Sequence, residues 1–358
     1  MQRSYALPLI STGAALVLSA SLIFSQNPAE PSAKGRGGGA FQGSDAPFRG
    51  AVEKIQVHGK SLEGNLEGDS PDRDVFVYLP PSYASQPNRR YPVVYFLHGY
   101  GVGAQAYWNM MTVPQSAEAA FARGAREMIL VLPDAFTVHN GSMYSNSPTT
   151  GNWEEFIAEE LVAYIDSHYR TVANRASRGL AGHSMGGYGA LRIGMKYPGV
   201  FSTLYPMSSC CLMNNPNSPL GGAVATTGKA KGKAGGGTTP ALAAAWSPNP
   251  QNPPTFYDLP VQDGEYRPEI GAKWYANSPL AMVDQYWSHL KKYKAIMMDI
   301  GLQDGLIAGN RDMDAALTRL GIPHTFETYE GDHTNRVRER FETRLLPFFS
   351  QQLEFPAR

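Results

Sequence analysis

A serine set between glycines, with an aspartate and a histidine much further along the chain, are the residues whose types and spacing can do chemistry together. The serine is Ser184 in Gly182-His183-Ser184-Met185-Gly186, a G-x-S-x-G of the kind in which a strand turns sharply into a helix and presents a hydroxyl at the apex. Such a turn strains the serine backbone and brings strand and helix almost into contact, so the flanking positions must do without a β-carbon. Glycine stands at both. A helix beginning at Met185 would point its unpaired N–H groups and positive dipole end towards Ser184, which suits an anion developing on a substrate oxygen. The chemistry this favours is attack on a carbonyl carbon and transfer of an acyl group.

A serine hydroxyl is a weak nucleophile near neutral pH and needs a base within hydrogen-bond reach, itself oriented by a third group. Asp304 in Gly301-Leu302-Gln303-Asp304 and His333 in Glu330-Gly331-Asp332-His333 each come directly after a predicted strand, as Ser184 does. All three are therefore expected on one edge of a sheet. Among the rivals, Asp299 falls inside its strand pattern, and Asp332 reads as a loop-shaping or solvated carboxylate. Asp134 ends a strand ahead of the serine and reads as structural, or as support for the site. Among the other histidines, His289 sits in a helical stretch, His324 begins a strand, and His98 belongs to a glycine-rich loop. His58, His139, His168 and His183 all precede the serine.

The tetrahedral oxyanion needs donors fixed in advance. One is expected to be the N–H of Met185, after the nucleophile; the other, the N–H of Tyr100 in His98-Gly99-Tyr100-Gly101. No metal ion is expected, because the two cysteines, Cys210 and Cys211, are neighbours without a second Cys pair or a His-x-His beside them. Adjacent Cα atoms lie about 3.8 Å apart, below the usual disulfide range of about 4.4–6.8 Å. They are read as thiols, with a strained vicinal disulfide as the alternative.

The elements that must position these groups follow from periodicity. Val52 to Val57 and Arg73 to Leu79 alternate and read as two antiparallel edge strands. Tyr91 to Leu97 is continuously apolar, as expected of a strand covered on both faces, and runs straight into the His98 loop. A helix over Gln115 to Arg123, a buried strand over Met128 to Leu132 and an amphipathic helix over Trp153 to Tyr169 precede the serine. After it come strands at Phe201 to Met207, Lys294 to Gly301 and His324 to Tyr329, with helices at Arg311 to Leu320 and Arg336 to Gln352. Strands alternating with helices imply a mostly parallel sheet covered on both faces. Residues 214–290 interrupt this pattern after the sixth strand. The stretch Gly221 to Thr239 is too low in complexity to be the ordered part of a lid, whereas Trp274, Tyr275, Tyr286 and Trp287 are expected to pack as a short helical cap.

Composition adds limits. The 358 residues carry a formal net charge of zero and 17% charged residues, which favours neither nucleic acid nor an anionic membrane as partner. Arg3 followed by the apolar run Leu7 to Phe24, with small residues near its end, reads as a secretory signal peptide over residues 1–25. An uncleaved anchor is the alternative reading of that run. Residues 26–50, rich in Pro, Gly, Ser and Ala, read as a flexible tether, which leaves 51–358 as one catalytic domain, secreted or periplasmic and free of the membrane once the signal is removed.

With these residues in view, the chain resembles the esterase D and feruloyl esterase branch of the α/β-hydrolases, a branch that includes S-formylglutathione hydrolases and the antigen 85 mycolyltransferases. Tyr95-Phe96-Leu97-His98-Gly99, Gly182 through Leu191, the Gly301 to Asp304 turn and Glu330-Gly331-Asp332-His333 carry the resemblance, which covers Val52 to Gln352. It implies an α/β-hydrolase fold with a cap after the sixth strand. In that fold the triad runs in chain order serine, acid, histidine, so it implies Ser184 as nucleophile, His333 as base then acid, Asp304 as its orienter, and the Met185 and Tyr100 amides as oxyanion hole. It implies neither metal nor organic cofactor. Tyr144, Trp153 and Trp108 are expected near the substrate groove, with core packing the competing role for Trp153. The expected activity is hydrolysis of carboxylic esters through an acyl-enzyme, on feruloyl or acetyl groups of plant cell-wall polysaccharide. Acyl transfer of the mycolyltransferase kind is the alternative enzyme, and a non-catalytic surface-binding protein the alternative class.

Overall fold

The computed structural model describes residues 47–212 and 237–356. The N-terminal apolar run, the tether as far as residue 46 and residues 213–236 of the insertion lie outside the described residues.

Eight strands form one sheet: β1 Ala51–His58, β2 Asp72–Leu79, β3 Val93–Leu97, β4 Ile129–Pro133, β5 Arg178–His183, β6 Thr203–Met207, β7 Ala295–Gly301 and β8 Thr325–Tyr329. They lie in the order β1-β2-β4-β3-β5-β6-β7-β8. β1 pairs antiparallel with β2, and β2 antiparallel with β4; from β4 to β8 every pairing is parallel. This is the α/β-hydrolase arrangement. Of the two antiparallel strands only β1 is an edge, mostly exposed. β2, expected at an edge, has β4 on its other side, and its Val75 to Leu79 are buried.

The central strands are apolar on both faces because helices cover both. In β3, Val93, Tyr95 and Leu97 enter one core cluster, while Val94 and Phe96 enter the other, as the two-residue period of a strand requires. Each side chain so enclosed contributes about 1.5–3 kcal/mol relative to leaving it in water. The helix expected over Trp153 to Tyr169 is present in three consecutive segments, Trp153–Glu155, Phe156–Glu160 and Leu161–His168, the middle one a π turn.

Strand order fixes where the site can be. β3 leads on to β4 on one side of it and abuts β5 on the other, so chain order reverses at this point, and α/β sheets open a crevice outside the carboxyl ends of such strands. The register Val93↔Arg178 through Leu97↔Gly182 brings the His98 loop and the Ser184 turn out of the sheet side by side.

Part of the insertion packs over this edge. The helix Thr239–Trp246, within a stretch whose composition gave little helical signal, places Trp246 with its Nε1–H donating to Tyr188 Oη at 2.9 Å. Trp246 meets Trp274 edge to face at 5.7 Å, and Trp274 Nε1–H donates to Ser247 Oγ at 2.8 Å. Trp274 packs as expected, but Trp287 does not: it is 44% exposed, on the outer side of the helix Pro279–Leu290, with Lys291 over its ring.

Candidate active site

The turn after β5 has the backbone that a G-x-S-x-G demands. Ser184 sits at φ 59°, ψ −114°, a left-handed conformation that an L-residue adopts only when its surroundings impose it. The restraints are hydrogen bonds on both sides: Ser184 N–H donates to the Met207 carbonyl at 3.0 Å, and its own carbonyl accepts from the Tyr188 and Cys210 amides at 3.0 and 3.1 Å. The helix Met185–Lys196 begins directly after it. Strand and helix are in contact: a β-carbon on Gly182 would stand 2.3 Å from the Gly186 carbonyl oxygen.

Asp304, after β7, and His333, after β8, reach this serine. His333 Nε2 is 2.9 Å from Ser184 Oγ, and His333 Nδ1 is 2.7 Å from Asp304 Oδ2. A carboxylate accepts only, so Nδ1 carries the hydrogen and Nε2 is free to accept from the serine hydroxyl. Asp304 Oδ1 also accepts from the Leu306 amide at 2.9 Å. Burial alone would raise the Asp304 pKa, but the hydrogen bonds from His333 and from that amide outweigh it and hold the carboxyl below its ordinary value. The acid is therefore ionised wherever the histidine is needed as a base. Ser184 is 9% exposed and the His333 side chain 35%.

The proposed oxyanion donors belong to the two segments that leave the sheet side by side here. Met185 opens the helix, so its amide has no carbonyl partner within it. Tyr100 lies in the loop after β3, and its phenol donates to the Gly237 carbonyl at 2.9 Å. His98 holds that loop in place: its Nδ1–H donates to the Gly99 carbonyl and its Nε2 accepts from the Ala135 amide, both at 2.8 Å. Asp134 supports the same region, with Oδ2 accepting from the Ala104 amide at 3.0 Å and Oδ1 from the Phe136 amide at 2.8 Å. Asp299 is buried in the interior, bonded by Tyr205 Oη and Arg340 Nε, each at 2.7 Å. Asp332 shapes its own loop by accepting from the Thr334 and Asn335 amides.

The three aromatics expected at the groove are packing residues instead. Tyr144 is fully buried, its Oη donating to the His98 carbonyl at 3.1 Å. Trp153 is 1% exposed, sealed between Phe156 and the Arg73 guanidinium, with Nε1–H donating to the Thr150 carbonyl. Trp108 packs against Phe76 with ring centres 5.5 Å apart. Apolar area drew all three inwards, and position near the site in sequence did not distinguish that from substrate contact. The cysteines are free thiols, and among the described residues no group of three or more His, Cys, Asp or Glu could hold a metal ion. No described helix is long and apolar enough to cross a membrane.

Two further residues belong here: His183, at the end of β5 and set aside as a base because it precedes the serine, and Tyr107, on the helix Ala104–Met110, which sequence reasoning did not single out. Both are buried and bonded to each other at 2.8 Å. Burial, helped by the charge His333 can acquire, pushes the His183 pKa down to about 3. An unfolded histidine titrates near 6.5, so between these values the unfolded chain binds a proton that the folded chain refuses. Stability is therefore expected to fall as pH drops from about 6.5 towards about 3. Urea midpoints at pH 7 and pH 4.5 should fall further for the wild type than for His183→Gln; equal falls would contradict the assignment.

Comparisons with known proteins bear on the family and the fold. The Esterase family model matches residues 70–348. Esterase Rv1288 of Mycobacterium tuberculosis is 27% identical over 280 residues, which cover 73% of this chain and 52% of that protein. The chain thus spans about half the length of the curated relatives it matches. A solved ferulic acid esterase superposes with TM-score 0.63 at 24% identity, covering 86% of this chain and all of that one. MPT51 of M. tuberculosis superposes with TM-score 0.57 at 15% identity, again over 86% of this chain and all of the other. At these identities the two structures speak to the fold.

Proposed function

The chain belongs to the Esterase family, and from that premise we propose that it is a secreted serine carboxylesterase working through an acyl-enzyme on Ser184. The observation that carries this reading is the continuous hydrogen-bonded line from Asp304 through His333 to Ser184 at the mouth of the sheet crevice. Ser184 Oγ attacks the ester carbonyl carbon while His333 Nε2 takes its proton, and Asp304 steadies the imidazolium so formed. The Met185 and Tyr100 amides receive the negative charge that develops on the carbonyl oxygen. His333 then gives the proton to the departing alcohol; water, deprotonated by the same histidine, releases the acid and restores the serine.

The substrate class proposed is a feruloyl or acetyl ester on plant cell-wall polysaccharide. The likeness to a ferulic acid esterase and the N-terminal apolar run that reads as an export signal support it. The test is turnover of p-nitrophenyl acetate and methyl ferulate by the full chain, with and without a sugar acceptor. Both esters are expected to be hydrolysed, with no need of the acceptor. Product that forms only when a sugar hydroxyl is present would replace hydrolysis by transfer. Binding of either ester without turnover would replace the enzyme by a binding protein.

A further inference from the structure

Next to Ser184, two buried side chains that the reaction itself does not use join the loop of the base to the loop of the oxyanion hole. His183 Nε2 lies 2.8 Å from the backbone carbonyl oxygen of His333, and His183 Nδ1 lies 2.8 Å from Tyr107 Oη. A carbonyl accepts only, so Nε2 carries the hydrogen; in a neutral ring Nδ1 must then accept, and the phenol donates to it. The Tyr107 oxygen in turn presses against the oxyanion loop, since a β-carbon on Gly99 would stand 2.1 Å from it. The direction of both hydrogen bonds is fixed by the carbonyl end of the line and by the neutrality of the ring.

The base loop depends on this line. Among the described residues, the loop's other main-chain hydrogen bonds run within residues 331–335, to the helix that follows, or to Gln303, while its His333 side chain bonds Asp304 and Ser184. The bond from His183 is the one that ties the His333 peptide to the strand carrying the nucleophile. The two imidazoles are 4.7 Å apart, so a charge on His183 would oppose the charge His333 must acquire. The titratable groups around His183 are Tyr107, His333 and Asp304; burial and the facing His333 keep it neutral, outweighing the opposite pull of the Asp304 carboxylate.

We infer that His183 is a positioning residue for the catalytic base: its neutral, Nε2-protonated ring clamps the His333 carbonyl, and the Tyr107 phenol holds the ring by donating to Nδ1. The inference rests on Ser184, His333 and Asp304 being the catalytic triad. Because a misplacement of about 1 Å can cost on the order of a hundredfold in rate, losing the clamp should act on kcat and leave KM alone.

The experiment compares His183→Leu, His183→Gln and Tyr107→Phe with the wild type on p-nitrophenyl acetate, each variant first checked for a wild-type thermal midpoint. Leucine removes both bonds, whereas the glutamine amide can donate to the His333 carbonyl and accept from Tyr107. The expected result is a fall in kcat of about 10- to 100-fold for leucine with KM within about twofold, a smaller fall for phenylalanine at 107, and recovery to within about threefold for glutamine. Leucine within threefold of the wild type, or glutamine as poor as leucine, would overturn the inference. A second measurement does not depend on how the variants fold: imidazole nitrogen NMR of the wild type should show His183 neutral and protonated on Nε2 from pH 5 to 8. A His183 that titrates in that range, or carries its proton on Nδ1, would also overturn it. If Ser184→Ala keeps its turnover, the triad fails, and the NMR result then stands as a statement about the hydrogen bond alone.

Discussion

Alanine in place of Ser184 is expected to lower kcat for p-nitrophenyl acetate by about ten-thousand- to a million-fold, with the thermal midpoint close to that of the wild type. The size follows from the division of labour at such sites. Removing the nucleophile abolishes the acyl-enzyme route, and what survives is the residual acceleration from the oxyanion donors and from binding, about a thousand- to ten-thousandfold over water. Stability should change little because alanine keeps the β-carbon, and the left-handed backbone at this position is held by main-chain bonds to Met207, Tyr188 and Cys210. Only the hydroxyl bond to His333, at a part-buried position, is lost. Stopped-flow kinetics adds a second readout, for the wild type should release a burst of one p-nitrophenol per enzyme if deacylation is slow, and the variant none. A loss smaller than tenfold would exclude Ser184 as the nucleophile.

The largest expected effect on folding comes from a single methyl group two residues further on. In Gly186→Ala the new β-carbon would stand 1.9 Å from the Leu97 carbonyl oxygen, 2.4 Å from the Leu97 carbonyl carbon and 3.0 Å from the His98 carbonyl oxygen. All three are main-chain atoms at the end of the central strand β3, which has a neighbour on each side, and none can swing away as a side-chain tip would. Either the helix after Ser184 lifts off the sheet or the His98 loop is displaced. A loss above about 4 kcal/mol, or no folded protein, is expected. The control is Gly199→Ala, where a β-carbon meets nothing within 4 Å; it should stay within about 0.5 kcal/mol of the wild type. Urea midpoints of the two variants decide the matter, and a Gly186→Ala protein as stable as its control would mean that strand and helix do not approach as described.

The sheet was legible in the sequence because its central strands obey local rules. Val93 to Leu97 is apolar without interruption and Arg73 to Leu79 alternates, and both signals come from the strand's own side chains. The hydrogen-bonded group Ser184, His333 and Asp304, the proposed triad, was legible for a related reason: each member stands at the first turn beyond a strand, where a parallel sheet gathers its loops. What lay outside local pattern was lost. That β2 is interior depends on β4, some fifty residues later, coming back beside it. That Trp108, Trp153 and Tyr144 face inwards depends on Phe76, Phe156 and His98 being there to receive them. The histidine before the serine carries no sequence sign of its work, because its partner is a backbone carbonyl 150 residues away. Chain order discounted it as a base, and a role through the main chain leaves no pattern of residue types.

The strained serine also sets a clock. Its left-handed backbone is not stable by itself, and its restraints come from β6 and from the helix it opens, while its side chain waits for a histidine 149 positions downstream. Contacts of such separation require large loops to close before they give any return, and they form late. During refolding, burial of the tryptophans and recovery of secondary structure should both run ahead of catalysis. Esterase activity is therefore expected to return after the spectroscopic signals of folding, and simultaneous recovery of both in a refolding time course would contradict this.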